Sequence, residues 1–268
     1  MRVLVVTAVA AEAGSVAAGL VGFADGSPRA LPGGYALTRY ARPASGAQTP
    51  VVLVDVLAAG VGPAAAAAAT ATVLTAPAHE QARALTAAPS QAPGDAPGTL
   101  PPYDLVVSAG IGGGFPSRAP LGTVVVADEI IAADLGAETP DGYLPVDRLG
   151  FGRTTHLPPP GLPGRAAKLL EAGGLPHLVA PVLTVSTVTG TARRAEELIA
   201  RHPRAGAEAM EGFGVAEAAA AHALPVLEIR AVSNPVGPRD RDAWRIKEAL
   251  DSLRHAFQLL TPLFEESP

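Results

Sequence analysis

The sequence predicts a single α/β domain built on a mixed, mainly parallel central sheet covered by helices on both faces. Three observations carry that prediction. Short runs of apolar and β-branched residues recur at 3–6, 51–57, 105–109, 123–131, 178–188 and 226–232, as expected of strands buried on both faces. Helix-forming stretches separate most of them, and such alternation produces parallel strands joined by helical crossovers. The chain has 268 residues, of which 48% are hydrophobic, enough for one large core.

Taken in order, residues 3–6 are a continuous apolar run fit for a central strand. With Arg2 before it and Ala8-Val9-Ala10 after it, the run mimics a weak signal peptide; it is too short, and Glu12 follows at once, so a first core strand is the better reading. A small-residue turn at 7–11 leads to a helix from about 12 to 20. Residues 35–40 and 51–57 read as strands. Gly60-Val61-Gly62 then turns into an Ala-rich helix at 63–74, with Pro63 in its first turn. Residues 76–102 hold six prolines, with Gly94 and Gly98 near Asp95. This stretch reads as an exposed, mobile insertion that decorates the domain, because the strand pattern resumes after it.

The strand at 105–109 ends in Gly110-Ile111-Gly112-Gly113-Gly114, read as a turn whose bare backbone can approach a ligand. It is not the dinucleotide fingerprint, since neither the helix start nor the acidic residue follows at the required distance. After the strand at 123–131 comes an acidic, turn-rich region to residue 160, a helix at 162–172 and a strand at 178–188. Thr191 is a credible N-cap for a helix at 191–201. A short stretch at 206–210, a helix at 212–222, the strand 226–232 and an amphipathic helix at 243–260 complete the chain.

Composition narrows the function. The formal net charge is −5 and no block of Lys or Arg stands out, so nucleic acid is not an expected partner. The absence of cysteine excludes disulfides, thiolate catalysis and zinc–thiolate sites. The six histidines show no metal-like spacing, and neither a metal nor a cofactor is expected. No apolar run reaches membrane-spanning length, and the expected location is cytoplasmic.

In an open α/β sheet, ligands bind at the carboxyl ends of the strands. Ser233 and Asn234 follow the run 226–232, and Pro235, Gly237 and Pro238 break the pattern beyond them. Asn234 is therefore placed for chemistry, or it caps the loop before Pro235 as Asn-Pro pairs do; the residues alone leave both readings open. Glu12 and Glu211 likewise stand at strand ends before helices, where the helix dipole alone also favours a carboxylate.

Ser108-Ala-Gly-Ile-Gly-Gly113, Ala209-Met-Glu-Gly212 and Arg230-Ala-Val-Ser-Asn234, in this order and spacing, resemble the purine nucleoside phosphorylase and nucleosidase superfamily. The likeness covers nearly the whole chain apart from the insertion, and implies a single-domain phosphorylase/hydrolase-like fold. Val185-Ser-Thr-Val-Thr-Gly190 and Asn234-Pro-Val-Gly-Pro-Arg-Asp240 carry a closer likeness to the futalosine hydrolase family. That likeness implies cleavage of futalosine to hypoxanthine and dehypoxanthine futalosine in menaquinone biosynthesis, by an oligomeric enzyme. The alternatives are methylthioadenosine/adenosylhomocysteine nucleosidase, whose members carry an aspartate at the position of Asn234, and a non-catalytic nucleoside-binding protein.

The resemblance assigns roles. Glu12 matches the water-activating glutamate, and Glu211 the carboxylate that accepts from ribose hydroxyls. Met210 lies against the sugar, and Asn234 reads the base. Gly112 and Gly113 match the backbone lining the purine pocket; Thr189 and Gly190 fall in a loop facing the base, and all four also read as simple turns. Many members of the resembled superfamily carry a carboxylate where this chain has Ala209, which leaves open how the ribose 2′-hydroxyl is held. Phosphorylases of the superfamily need phosphate-binding arginine near the first strand; residues 7–15 hold none and supply Glu12 instead, which favours hydrolysis. The benzoate of futalosine calls for a cationic partner, with Arg153, His156, Arg193 and Arg239 as candidates.

Overall fold

In the computed structural model, which describes residues 1–42, 51–86 and 102–265, the chain opens on β1 (Arg2–Thr7), buried along its whole length. α1 (Ala10–Gly19), the short strands β2 (Ala24–Asp25) and β3 (Arg29–Ala30), and the strands β4 (Ala36–Arg42) and β5 (Val52–Ala58) follow. α2 (Pro63–Thr86) precedes β6 (Leu105–Gly114) and β7 (Val124–Ala132). The acidic stretch holds a hairpin of β8 (Gly136–Thr139) and β9 (Gly142–Pro145), then β10 (Thr155–His156). The remaining elements are α3 (Leu162–Ala172), β11 (His177–Thr184), α4 (Ala192–Arg201), β12 (Ala207–Ala209), α5 (Gly212–Ala221), β13 (Val226–Pro235) and α6 (Ile246–Leu260).

The centre of the sheet is parallel, as the apolar runs predict. β1 lies between β5 and β6, and β13 continues the parallel set beyond β6. Antiparallel pairing appears at the β5–β4 wing and where the sheet returns on itself. β6 bonds to β13, β13 to β7, β7 to β11, β11 to β12, and β12 back to β6. These five strands therefore form a closed ring, with β1, β5 and β4 as an open wing.

Alternate residues of each strand face opposite layers. Val3, Val5, Leu105, Val107 and Leu227 pack beneath α1, α3 and α6 through Val16, Leu162, Leu170, Leu253 and Phe257. Leu4, Val6 and Val106 face the other way, toward Ala66, Ala69 and Val73 of α2 and Val215 and Ala219 of α5. Fully burying a side chain such as Leu253 or Phe257 stabilises the fold by about 1.5–3 kcal/mol. The small residues of α2 and α5 allow close contact: a Cβ on Gly214 would lie 2.0 Å from the Pro63 carbonyl oxygen. At the start of β1, the buried Asp55 carboxylate accepts from Arg2 (2.9 Å), Arg39 (2.7 Å) and the Tyr103 hydroxyl (2.6 Å). This buried charge is fully partnered and lies at the opposite end of β1 from Glu12.

Several local expectations are revised. The glycines 110–114 are not a turn but the last half of β6; they are strand residues chosen for lack of bulk. β13 does not stop at Val232 but runs to Pro235, with a register shift between Val232 and Asn234. A proline is tolerated there because it sits at the strand's end beside a bulge. β11 ends at Thr184 rather than 188, and α6 starts at Ile246 after a short 3-10 turn over Arg241–Ala243. Helix α2 continues to Thr86, so the start of the expected insertion is helical in backbone; its residues 87–101 lie outside the described residues. Thr191 caps α4 as expected, its hydroxyl accepting from the Arg194 amide at 3.2 Å.

Candidate active site

The carboxyl ends of β1, β6 and β13 and the loops after β11 and β12 open on one cavity of about 250 Å³. Among its walls are Glu12, Ile111, Gly112, Gly113, Glu208, Met210, Glu211, Ser233 and Asn234. Six of the eight residues singled out from the sequence thus share one cavity. Thr189 and Gly190 do not line it; they stand behind its wall, next to Val188, which does.

Glu12 is 4% exposed. Its Oε2 accepts from the amides of Ala8 (2.9 Å) and Val9 (3.2 Å), and its Oε1 accepts from the amide of Ile111 (2.9 Å). The first two bonds cap the start of α1, so the helix-terminus reading of Glu12 is correct in part. The third crosses to β6 and fixes the carboxylate against the cavity. Gly110 makes this approach possible, since a Cβ there would lie 2.5 Å from Glu12 Oε1 and 2.7 Å from Arg230 Nη1.

Arg230 is the residue that sequence reasoning passed over. It appeared only as part of a motif, inside an apolar strand run where a charged side chain carries no periodic signal. The structure buries it fully, with Nε on Glu228 Oε1 (2.9 Å), Nη2 on Ser108 Oγ (2.9 Å) and Nη1 3.1 Å from Glu211 Oε2. The Nη1 contact with Glu211 is an ion pair without hydrogen-bond alignment, so this donor has no hydrogen-bond partner among the described residues. Burial alone would lower the Arg230 pKa, but the carboxylates of Glu228, Glu211 and Glu12 outweigh it and raise it. Burial likewise raises the pKa of Glu228, against the pull of Arg230. Glu211 also accepts from the Gly62 amide at 3.2 Å, which ties the turn before α2 to the site. Carboxylates outnumber the guanidinium, and such an excess favours positive charge developing nearby.

Asn234 is half-buried at the end of β13, paired in register with Gly113. Its Nδ2 donates to the Pro235 carbonyl (3.1 Å), and its Oδ1 faces the Ser233 hydroxyl (2.9 Å). The carbonyl contact fixes the amide's orientation, and the second Nδ2 proton remains for a ligand. Loop cap and cavity wall are therefore compatible for this residue. Glu208, also missed from the sequence, is 4% exposed and accepts from the Thr189 amide (2.9 Å) and hydroxyl. Burial raises its pKa, opposed by those two bonds. Thr189 thus positions a wall residue. The Arg239 stem runs past Gly190, its Cγ and Cδ 3.6 Å from where a Cβ would sit, an ordinary contact distance.

The four cations proposed for a substrate carboxylate separate clearly. Arg153 and His156 both pair with Glu217, at 3.4 and 2.7 Å. Arg193 pairs with Glu197 on α4 and faces the β8–β9 hairpin instead. Arg239 alone of the four lines the cavity. Among the described residues no cluster of His, Cys, Asp or Glu is arranged to hold a metal ion. Among them, too, no helix is long and apolar enough to cross a membrane.

A sequence profile of the phosphorylase superfamily matches residues 46–266. A futalosine hydrolase of Streptomyces coelicolor is 58% identical over 211 residues, spanning 79% of this chain and 80% of that one. One from Acidothermus cellulolyticus is 42% identical over 257 residues, spanning 96% and 89%. Among solved structures, futalosine hydrolase of Helicobacter pylori superposes with a TM-score of 0.70 at 14% identity, covering 98% of each chain. S-adenosylhomocysteine nucleosidase of Streptococcus pyogenes gives 0.71 at 17% identity, covering 98% of this chain and 97% of its own. At such identities these two structures speak for the fold alone.

Proposed function

The chain belongs to the phosphorylase superfamily and, within it, to the futalosine hydrolases, and from that premise we propose how its cavity hydrolyses the N-glycosidic bond of futalosine. The observation that carries the reading is the meeting of Glu12, Met210, Glu211 and Asn234 in one cavity at the strand ends.

The C1′–N9 bond breaks with its electron pair going to the base, and the sugar becomes oxocarbenium-like. Glu211 accepts from the ribose hydroxyls, and its charge favours the cationic sugar. Met210 forms an apolar wall against the ribose ring. A water attacks C1′ and yields its proton to Glu12, a role worth about 100- to 10,000-fold. Arg230, buried behind the cavity with its Nη1 ion-paired to Glu211 at 3.1 Å and close to Glu12, holds the Glu211 carboxylate in position. Asn234 donates its free N–H to the acceptor edge of the 6-oxopurine. The departing purine anion takes up a proton as Glu12 gives up the one it received, by way of solvent, so the products are hypoxanthine and dehypoxanthine futalosine and Glu12 is restored. The proposal includes a cytoplasmic homo-oligomer acting in menaquinone biosynthesis, which goes with the resemblance, and neither nucleic acid nor membrane has a part in it.

The test is incubation of the purified protein with futalosine, with and without inorganic phosphate, following hypoxanthine by chromatography. Phosphate-independent release is expected. Release that requires phosphate, or cleavage of methylthioadenosine but not futalosine, overturns the reading.

A further inference from the structure

The rim of the cavity is apolar and solvent-exposed. Val9, Val61, Val188 and Ile246 line it and are each more than a third exposed, with Trp244 beside them. Large apolar side chains gathered at one opening mark a ligand surface. Arg239 stands on the same rim. Its guanidinium carbon lies 5.1 Å from the centre of the Trp244 ring, and its stem runs past Gly190. Among the described residues no carboxylate pairs with it, whereas Arg153, Arg193, Arg194 and Arg204 each have one. The neighbouring Asp240 is turned away to cap the 3-10 turn, accepting from the Asp242 amide at 3.2 Å. Arg241 also stacks on Trp244, at 5.9 Å, but does not line the cavity.

This rim is held in place relative to the base. The Val236 amide donates to the Gly114 carbonyl (2.8 Å), and the Arg245 amide to the Ser233 carbonyl (2.7 Å). The segment bearing Arg239 and Trp244 is thus pinned at both ends to β6 and β13, next to Asn234.

We infer that Arg239 and Trp244 form an aryl-carboxylate clamp for the benzoate arm of the substrate. An aromatic ring at an apolar rim offers a face to the benzoate ring. A guanidinium without a protein carboxylate offers two parallel N–H donors to the benzoate oxygens. The clamp rests on the futalosine reading and adds to it the group that selects the acid-bearing arm over a neutral one.

The test compares futalosine with its methyl ester, which differs only in the charge at the end of the arm. Hypoxanthine release gives kcat/KM for each in the wild type, Arg239→Gln and Arg239→Lys. In the wild type the acid is expected to be preferred about tenfold, the size of one charged hydrogen-bonding pair at a partly exposed site. Arg239→Gln is expected to remove that preference, lowering the rate on the acid about tenfold more than the rate on the ester, with a thermal melt to show that the variant is folded. Arg239→Lys is expected to restore part of it. A wild type that treats acid and ester alike overturns the clamp, as does an Arg239→Gln variant that keeps the full preference. If the wild type hydrolyses neither compound, the futalosine reading itself has failed and the clamp falls with it.

Discussion

Glu12→Gln separates a structural role from a chemical one, because the carboxylate does two jobs in this structure. Its two oxygens accept three backbone N–H bonds, two at Oε2 and one at Oε1. Glutamine has one oxygen and one NH2 group, so one end must face a backbone donor with a donor. The less costly orientation keeps the oxygen toward Ala8 and Val9 and sacrifices the bond from Ile111. Leaving one buried amide unsatisfied costs about 1–3 kcal/mol, which for a chain of this size lowers Tm by about 2–12 °C. The chemical loss is separate: without a base for the attacking water, kcat is expected to fall about 100- to 10,000-fold. The assay pairs a thermal melt with hypoxanthine release at a temperature well below both melting points, where the variant remains folded. A lowered Tm together with kcat within about tenfold of the wild type would leave Glu12 as a helix cap and remove it from the mechanism.

Asn234→Asp is expected to shift base preference: an ionised aspartate cannot donate to a 6-oxopurine, and a buried mismatch of about 1–3 kcal/mol corresponds to roughly 10- to 150-fold. The measurement is kcat/KM on nucleosides differing only at the purine 6-position, and an unchanged ratio means that Asn234 does not read the base. Gly110→Ala would place a methyl group 2.5 Å from Glu12 Oε1 and 2.7 Å from Arg230 Nη1. Overpacking of about 1–3 kcal/mol is expected in denaturant unfolding, with turnover falling as Glu12 is displaced; a variant as stable and as active as the wild type contradicts this packing. Glu208 predicts a pH effect. Burial raises its folded pKa above the ordinary 4.5, so the stability it contributes is complete below that value and is lost as pH rises through the raised one. Glu208→Gln, whose amide matches both Thr189 bonds, should therefore melt higher than the wild type at roughly pH 8, with the difference vanishing near pH 4; a constant difference across pH rules out titration of Glu208 as its source.

The succession of elements, and the gathering of polar residues near their ends, is written in the order of apolar and polar residues along the chain. Runs such as 3–6 and 226–232 are apolar enough to demand burial, and the polar residues that follow them, Glu12 in the first turn of α1 and Asn234 as the penultimate residue of β13, then fall near the carboxyl end of the sheet. The proline-rich stretch misled the reading of α2, since prolines signal breaks but the backbone stays helical past Pro77. The glycines of β6 misled it too, because glycine permits turns yet here serves only to leave space. Arg230 and Glu208 were hidden for a different reason: a charge is admitted to a core only by its partners, and apart from Glu228, two residues before Arg230, those partners lie farther along the chain. Ser108 is 122 residues from Arg230, and Thr189 is 19 from Glu208. The same holds for the four candidate cations, which are equivalent as letters. Arg239 was distinguished from Arg153, His156 and Arg193 only when the fold gave each of those three a carboxylate and turned Arg239 toward the cavity. Local patterning sets what each segment can be, but which charges meet is a property of distance, and distance between remote segments exists only once the chain has folded.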